Sequence, residues 1–477
     1  MDKKIKHLVV DILIFGLGTI GSKLILFLLV PLYTITLTEA EYGIADLVYT
    51  LGQFVMPVIS LAIYNALLRF GMGKDEKRED VLLNAMLVWV IGSLGMLLLI
   101  PFLHFYEAIS PWKWYLYCYI VVFFANSNAT AFLKAKGKNK IYALLSIAQA
   151  FILVSCSILF LNYLKWGVRG YLLTLILSNG IIAIVGMLFG DVYGELKKAK
   201  FHKTLLRSMI IYSLPFVLND ISWGIIHSTD KVMIEMMLGG TVLGLYTTAA
   251  KIPSLINVIT TIFTQAWTLS SIKEYENDND VNYYSKIYNV YSVTMFGACI
   301  VITAVTKLFI RIYVGADFFE AWKYVPLLMV SAIFLGIASF LNSLYSAMKK
   351  SKNMMITATI AAVTNVGLNF IFIPICGVWG AIIGTFASYL ILAIIRMIDI
   401  YKYLSIKYNV VKHIVLSIIV LVQALLVSMD IYGEMVSIIA MIIFIIYARK
   451  DLVNIAKFSC DFVKNLMNKV KRKNSFK

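Results

Sequence analysis

VPLLMVSAIFLGIASFLNSLYSA, residues 325–347, contains no charged side chain from end to end. A helix of about 20 such residues spans the roughly 30 Å hydrocarbon core of a bilayer. The rest of the chain continues this pattern, since 60% of its 477 residues are hydrophobic, 14% are charged and the mean hydropathy is +0.83. These values lie outside the range of soluble domains. The sequence therefore predicts an all-α, polytopic membrane protein.

About fourteen stretches are long and apolar enough to be transmembrane helices. They cover residues 8–33, 44–68, 81–103, 114–133, 141–163, 170–190, 208–229, 245–270, 287–310, 325–347, 353–375, 378–398, 412–429 and 431–447. The connections between them are short, which leaves no room for an inserted soluble domain. The chemistry of the protein is therefore expected inside the helix bundle.

The formal net charge of +17 raises the question of a nucleic-acid partner. Most of the 43 Lys and Arg residues, however, fall in segments that share one side of the membrane when the N-terminus is placed in the cytoplasm. Membrane proteins concentrate basic residues in their cytoplasmic loops. We therefore expect a multi-pass protein of the plasma (inner) membrane, with both termini cytoplasmic and no nucleic-acid partner.

Short motifs recur at matching positions in the two halves of the chain. A Trp-Lys pair occurs at 112–113 and again at 322–323, and a Gly-Val-x-Gly turn occurs at 167–170 and at 377–380. Transporters often contain such internal repeats and hold their substrate between them. We therefore expect two pseudo-symmetric six-helix bundles around a central cavity.

This repeat divides the chain into four predicted segments. They are an N-terminal six-helix repeat at 1–200, a C-terminal six-helix repeat at 201–400, helices 13 and 14 at 401–447, and a basic cytoplasmic tail at 448–477. The tail is either an amphipathic helix on the inner leaflet or a solvated segment that only enforces the topology.

Signatures of enzymes and of metal sites are missing from the sequence. The five cysteines are scattered and never spaced as C-x-x-C, and the five histidines are widely dispersed. No lysine-containing loop has the spacing that cradles nucleotide phosphates. We therefore predict a protein that is not an enzyme and has no metal or cofactor, with a proton or sodium gradient left open as the driving force.

Charged residues inside spans are functional candidates, because each costs roughly 2.5 to 3.5 kcal/mol at a helix centre. Lys23 lies within the first span and Lys251 within the eighth, so they come from opposite halves. Two ammonium groups facing one cavity would be stabilised by a polyanion such as a lipid diphosphate. Alternatively, each lysine reaches the headgroups or pairs with an acid such as Asp11 or Asp220. Arg69 is either a further diphosphate ligand or a topology anchor.

Acidic and amide side chains supply the remaining candidates. Asp220, Asp230 and Asp46 are candidates for ion coupling, because a carboxylate in a protein-lined cavity can exchange a cation as access alternates. A structural hydrogen bond to a neighbouring helix is the alternative role for Asp220. The sugar-contact candidates are the amides of Asn65, Asn219, Asn257 and Gln265, although such amides also bond neighbouring helices.

Three groups of short motifs keep a fixed order between the spans. They are PLY at 31–33 with EYG at 41–43, YSLP at 212–215 with STDK at 228–231, and AWKYVP at 321–326. With this arrangement the chain resembles, over roughly residues 8–400, the Wzx-type oligosaccharide flippases of the multidrug/oligosaccharidyl-lipid/polysaccharide (MOP) exporter superfamily. The resemblance implies a V-shaped bundle with a cationic central cavity, inward and outward states, and ion-coupled or gradient-linked exchange.

The function that this resemblance implies is transfer of a polyprenyl-diphosphate-linked oligosaccharide repeat unit from the inner to the outer leaflet for surface polysaccharide synthesis. The related peptidoglycan-precursor flippases hold the diphosphate with basic residues in the first and eighth spans, which agrees with Lys23 and Lys251. They also place a lipid-binding groove on helices 13 and 14. Expected partners are the lipid-linked oligosaccharide, membrane lipids, and the polysaccharide polymerase and chain-length machinery.

Three alternatives stay open at this point. One is an ion-coupled multidrug or cation exporter of the same superfamily, against which the lysines within spans argue. Another is a membrane-embedded polysaccharide polymerase or glycosyltransferase, which usually carries a longer outer loop than any found here. The third is a non-transporting membrane scaffold, which the repeat and the lysines within spans disfavour.

Overall fold

The computed structural model describes residues 27–73, 76–277 and 280–453, and within these ranges the chain is helical and has no strand. The N-terminal half contains α1 (Val30–Thr36), α2 (Glu39–Ser60), α3 (Ile63–Gly71), α4 (Arg78–Leu99), α5 (Lys113–Ala135), α6 (Asn139–Ser157), α7 (Gly167–Gly190) and α8 (Val192–Leu196). The C-terminal half contains α9 (Lys203–Leu238), α10 (Gly240–Asn277), α11 (Val281–Tyr313), α12 (Val325–Ala347), α13 (Ser351–Cys376) and α14 (Val378–Leu404), followed by α15 (Val410–Ser428) and α16 (Gly433–Tyr447). Short 3-10 helices cover Ile100–Phe105, Ser110–Trp112 and Ala316–Lys323, and a π-helix covers Ile158–Tyr163.

The described helices form a polytopic membrane protein, as predicted. Eleven of them, counted with their short extensions, are long and apolar enough to cross a membrane. A twelfth span results when the two arms of α9, which meet at 41°, are taken together, and α16 is a shorter apolar helix. The count of fourteen spans and the repeat symmetry stay predictions. Most of the first predicted span, 8–33, and most of the tail, 448–477, lie outside the described residues.

The second predicted span starts earlier than its apolar pattern suggested, at Glu39 rather than residue 44. The reason is a capping box: the Thr38 amide donates to the Glu41 carboxylate at 3.0 Å, and the Glu41 amide donates to the Thr38 hydroxyl at 3.3 Å. These reciprocal bonds satisfy amides that the first turn of a helix leaves without partners. Polar capping residues therefore extended the helix beyond its hydrophobic region.

The same span is also interrupted. The prediction of one helix over 44–68 had assumed that it is continuous. Leu61 and Ala62 adopt positive φ angles of 49° and 46° between α2 and α3. Pro57, in the last turn of α2, lacks an amide hydrogen and interrupts the helical hydrogen bonds there. The Ala62 amide is satisfied by the Pro57 carbonyl and the Ser60 hydroxyl, both at 3.1 Å. The break therefore leaves this amide paired.

The seventh predicted span, 208–229, is longer than expected and continues to Leu238. Its polar sequence after residue 227 lowers the hydropathy, yet the helix ends only at Gly239, which has a φ of 88°. Lys231 and Glu235 therefore belong to α9, whereas the sequence pattern placed them beyond the span.

Contacts within each half are more extensive than contacts between the halves. In the N-terminal half α5 packs along α7, and in the C-terminal half α12 lies between α10 and α14 with nearly all of its side chains buried. Helices α15 and α16 pack against α11. The two halves meet where α2 contacts α9 and α10. The central cavity lies beside this meeting line.

Helices α2 and α10 approach so closely that only glycine fits at their crossing. A Cβ atom on Gly244 would lie 2.0 Å from the Glu39 carbonyl oxygen, and one on Gly43 would lie 2.5 Å from the Gly240 carbonyl oxygen. Small residues allow such close contact between the backbones of membrane helices. We call this contact, formed by Gly43, Gly240 and Gly244, the α2–α10 crossing.

Candidate functional site

One carboxylate from the N-terminal half holds two lysines from the C-terminal half. The Lys231 ammonium on α9 lies 2.5 Å from Oδ2 of Asp46 on α2, and the Lys251 ammonium on α10 lies 2.7 Å from Oδ1. Lys231 also donates to the Thr50 hydroxyl at 2.8 Å. Asp46 and Thr50 are four residues apart and therefore share one face of α2. We call Asp46, Lys231 and Lys251 the Asp–Lys–Lys cluster.

The lysines of this cluster face a cavity, whereas its carboxylate does not. The Asp46 side chain is 0% exposed, and those of Lys231 and Lys251 are 16% and 27% exposed. Both lysines line a central cavity of about 720 Å³. A second cavity of about 670 Å³ shares Lys251, Tyr49 and Trp223 with the first. Cavities of this size are typical of binding sites for small molecules and cofactors.

The cluster itself has one more ammonium group than carboxylate groups. Burying such a charge set is favourable only when ion pairing and hydrogen bonds replace the lost hydration. The excess positive charge faces the cavity, where an anion could complete the pairing. The cluster thus has the chemistry of an anion site.

A second buried carboxylate, that of Asp230, lines the same cavity but has neutral partners. It accepts hydrogen bonds from the Tyr246 hydroxyl at 2.8 Å, the Asn369 side-chain amide at 2.5 Å and the Thr385 hydroxyl at 2.5 Å. Asp230 is 4% exposed, and the Asn369 Oδ1 atom beside it has no hydrogen-bond partner among the described residues. We call these four residues the Asp230 cluster. Its oxygen atoms suit a proton or a small hard cation.

Asp220, another ion-coupling candidate of the sequence analysis, also lines the larger cavity. The Tyr64 hydroxyl on α3 donates to its carboxylate at 3.3 Å, which connects the two halves away from the Asp–Lys–Lys cluster. The described lining therefore contains two lysines and two aspartates. Charge is thus divided along the cavity, whereas the family resemblance implies a cationic one.

The structure brings together only some of the residues selected from the sequence. Asn257 lines both central cavities, whereas Arg69, Asn65 and Gln265 line neither. Arg69 and Gln265 are exposed. Lys23 and the Asn219 side chain lie outside the described residues, so their assigned roles stay predictions.

Lys231 is the functional candidate that the sequence analysis missed. The apolar pattern ended the seventh span at about residue 229, so Lys231, the last residue of the motif that closes this span, was not selected as a charge within a span. The acid that pairs with Lys251 was also misjudged, because Asp11 and Asp220 were considered and the structure shows Asp46. One signal was available: the STDK motif at 228–231 directly follows an apolar span.

Several contacts close one end of the boundary between the halves. The Tyr106 hydroxyl donates to the Glu235 carboxylate at 2.5 Å, and the Gly315 amide donates to the Thr34 hydroxyl at 3.0 Å. These bonds, together with the α2–α10 crossing, form what we call the outer closure, because the predicted topology places them on the outer side. The Asp–Lys–Lys cluster follows next along α2 and α10.

Comparison with known proteins identifies the family and the fold. The family described as "Polysaccharide biosynthesis protein" matches residues 8–268, more than half of the chain. No curated protein sequence matches the chain.

Among solved structures, the lipid II flippase MurJ in an inward closed conformation matches with 16% identity and a TM-score of 0.65, over 92% of this chain and 100% of that chain. An outward-facing multidrug resistance MATE family transporter of the MOP superfamily matches with 15% identity and a TM-score of 0.59, over 85% of this chain and 98% of that chain. A MOP superfamily transporter from Pyrococcus furiosus, whose binding pocket is described as having reverse polarity, matches with 16% identity and a TM-score of 0.58. The match covers 85% of this chain and 98% of that chain. At such low identity these likenesses show the fold alone.

The family match and the fold together confirm the resemblance recognised in the sequence motifs. The chain belongs to the polysaccharide biosynthesis protein family and has the fold of the MOP superfamily transporters.

Proposed function

We propose that this protein is a flippase that moves a polyprenyl-diphosphate-linked oligosaccharide repeat unit from the inner to the outer leaflet of the plasma membrane. The single observation that carries this proposal is the pair of cavity-facing lysines, Lys231 and Lys251, held on one carboxylate. A diphosphate offers several anionic oxygens to these ammonium groups. In a low-dielectric cavity such pairs are much stronger than in water.

The rest of the substrate also has a suitable environment in this proposal. Amide and hydroxyl groups near the lysines, such as those of Asn257, Ser254 and Gln53, can hydrogen-bond sugars. The polyprenyl chain needs only an apolar path, and the bilayer itself supplies one. Lys23, which the resemblance places in the same cavity, is a third cation of this proposed site.

Transport by alternating access requires a boundary that can open on either side. The outer closure contains two hydrogen bonds and a glycine contact, and beside them the buried rings of Tyr42 and Phe318 pack edge to face across the boundary. In the proposed cycle the substrate enters from the inner leaflet and leaves through the opened outer end.

The Asp230 cluster is our proposed site for a coupling proton or sodium ion. Both Asp46 oxygens are occupied by lysines, so Asp46 is a weaker candidate for this role. The Asp230 carboxylate has only neutral hydrogen-bond donors and faces the cavity. A cation bound there would neutralise it, and both lysines would keep their bonds to Asp46.

The two lining aspartates also favour a second candidate function, namely an ion-coupled multidrug or cation exporter. In that case Asp220 and Asp230 would bind the exported cation, and the lysines would serve only as structural partners of Asp46. The two proposals therefore differ in which charges the substrate requires.

The deciding experiment is turnover of a fluorescent polyprenyl-diphosphate oligosaccharide in proteoliposomes. Lys231→Gln and Lys251→Gln are each expected to reduce turnover by about tenfold or more, which corresponds to at least about 1.4 kcal/mol of lost substrate interaction. Lys307→Gln is the matched control, since Lys307 pairs with Asp430 at an exposed position outside the central cavity. Unchanged turnover in both cavity variants would refute the flippase site. Efflux of organic cations that depends on Asp220 and Asp230 would support the exporter instead.

The cellular setting follows from the same proposal. The protein is expected in the plasma membrane with both termini in the cytoplasm, close to the polymerase and chain-length machinery that uses the flipped repeat unit. Labelling of single cysteines at both ends of the helices from either side of intact cells tests this orientation.

A further inference from the structure

The Asp46 carboxylate is the shared partner of both proposed substrate-binding lysines. Each of its oxygens takes one ammonium group, and none of its surface is exposed. We infer, on the basis of the proposed function, that Asp46 is a positioning residue that takes the place of the substrate diphosphate in the empty cavity. The arriving diphosphate displaces it from Lys231 and Lys251 and thereby releases the outer closure.

Asp46 and the substrate diphosphate compete for the same hydrogen-bond donors. An ammonium group has three N–H donors, and Lys231 already uses two of them on Asp46 and Thr50. The ends of both lysines face the cavity, whereas Asp46 approaches them from the opposite, buried side. A diphosphate entering the cavity therefore reaches the lysines directly and competes with one carboxylate that has a single negative charge.

The Asp–Lys–Lys cluster lies close to the outer closure along α2 and α10. Asp46 is three residues from Gly43 on α2, and Lys251 is seven residues from Gly244 on α10. With a rise of about 1.5 Å per residue, these distances are roughly 4.5 and 10 Å along the helix axes. The α2–α10 crossing cannot separate far without stretching the Asp46–Lys251 pair. The ion pair and the outer closure therefore open together.

Separating α2 from α10 without a bound anion carries a free-energy penalty. Breaking a buried ion pair leaves an uncompensated charge, which is strongly unfavourable. Without an anion, separation of α2 from α10 would strip Lys251 of its carboxylate. With a diphosphate bound, the lysines keep an anionic partner while Asp46 moves towards the water of the outer opening. The outer end therefore opens readily only when substrate is present, which prevents a futile cycle.

The binding test uses farnesyl diphosphate, a short polyprenyl diphosphate, and the full-length protein in detergent, with calorimetry as the readout. Asp46→Asn removes the competing charge and is expected to tighten binding by about tenfold, within the usual range for coupling between sites. Asp46→Glu keeps the charge and is expected to restore affinity close to that of the unaltered protein. Asp430→Asn, which breaks the exposed pair with Lys307, is the matched control and should bind as the unaltered protein does.

A merely structural role for Asp46 predicts the opposite result, because loss of the carboxylate would disorganise the lysines and weaken binding. Asp46→Asn is also expected to lower the turnover number while it lowers KM, since the empty protein no longer stays closed. Equal or weaker binding by a folded Asp46→Asn protein would overturn the inference. If the unaltered protein does not bind the probe and the lysine variants change nothing, the proposed function itself fails.

A second measurement leaves Asp46 intact, so it does not depend on folding of that variant. Tyr106→Cys and Glu235→Cys are introduced together after the five native cysteines have been replaced, and disulfide formation reports outer closure. Farnesyl diphosphate is expected to slow crosslinking by about fivefold or more, and neutral farnesol is expected to leave it unchanged. Crosslinking that is insensitive to bound farnesyl diphosphate would show that the anion does not open the outer end.

Discussion

Asp46 and Asp230 are both buried carboxylates beside the same cavity, yet their partners differ in charge and origin. Asp46, on α2, is held by two lysines from the opposite half of the molecule. Asp230, on α9, is held by hydroxyl and amide groups of Tyr246, Asn369 and Thr385, all from its own half. One carboxylate therefore ties the halves together, whereas the other belongs within a single half.

The difference shows how one cavity can respond to two kinds of ligand. In the proposed transport cycle, contacts across the boundary change whenever the halves move, so the Asp–Lys–Lys cluster would respond to the conformation of the protein. Contacts within one half persist during a rigid-body movement, so the Asp230 cluster can keep a bound cation while access alternates. In the proposed function, an anionic substrate and a coupling cation would thus be served by separate groups only one residue apart on α9.

The largest expected effect comes from removing both lysines. Lys231→Gln combined with Lys251→Gln should lower turnover by about a hundredfold or more and reduce the thermal stability, because Asp46 stays buried without a charged partner. Adding Asp46→Asn should recover much of the stability and none of the transport. Thermal unfolding followed by fluorescence and flipping in proteoliposomes separate the two effects. Normal transport by the triple variant would remove the basis for a diphosphate site.

The next largest effect is expected from widening the α2–α10 crossing while the charged residues beside it stay in place. Gly244→Ala places a Cβ atom 2.0 Å from the Glu39 carbonyl oxygen, so the α2–α10 crossing has to open and turnover should fall by about tenfold. Gly95→Ala on α4 is the matched control, because a Cβ atom there meets nothing within 4 Å. The flipping rate in proteoliposomes measures the effect of both substitutions. Equal turnover in the two variants would show that the close approach is not needed for transport.

A smaller and more selective effect is expected at the Asp230 cluster. Asp230→Asn retains a hydrogen-bonding side chain and removes the charge, so affinity for farnesyl diphosphate should stay within about twofold. Dependence of the flipping rate on an imposed sodium or proton gradient should disappear. The initial rates with and without each gradient test this. A retained gradient dependence would move the coupling site elsewhere, with Asp220 as the next candidate.

The smallest effect is expected for a single hydrogen bond of the outer closure. Tyr106→Phe removes the bond to Glu235, which is worth about 0.5 to 1.5 kcal/mol net in a typical case, and turnover should change by less than about fivefold. Hydrogen exchange in residues 100–112 should become faster. A loss of transport as large as that of the lysine variants would place the main barrier at this bond rather than at the ion cluster.

The all-α membrane fold could be predicted from the sequence because apolar length is a local property of the chain. The stretch 325–347 was predicted with the bounds that α12 has in the structure, since no charged residue interrupts it. The bounds of α2 and α9 were wrong because Thr38, Glu41 and Lys231 are polar residues that tertiary or capping contacts hold in helices. Hydropathy alone cannot register such contacts.

The sequence by itself determined that the chain crosses the membrane many times, that Lys251 lies within a span, and that its motifs resemble those of the MOP exporter superfamily. Only the tertiary structure decided which charges meet. Asp46 pairs with Lys231 and Lys251 although 185 and 205 positions separate them, because α2 lies against both α9 and α10. The direction that a side chain faces depends on helix rotation and on the neighbouring helix, and neither is encoded in the local apolar pattern from which the spans were predicted.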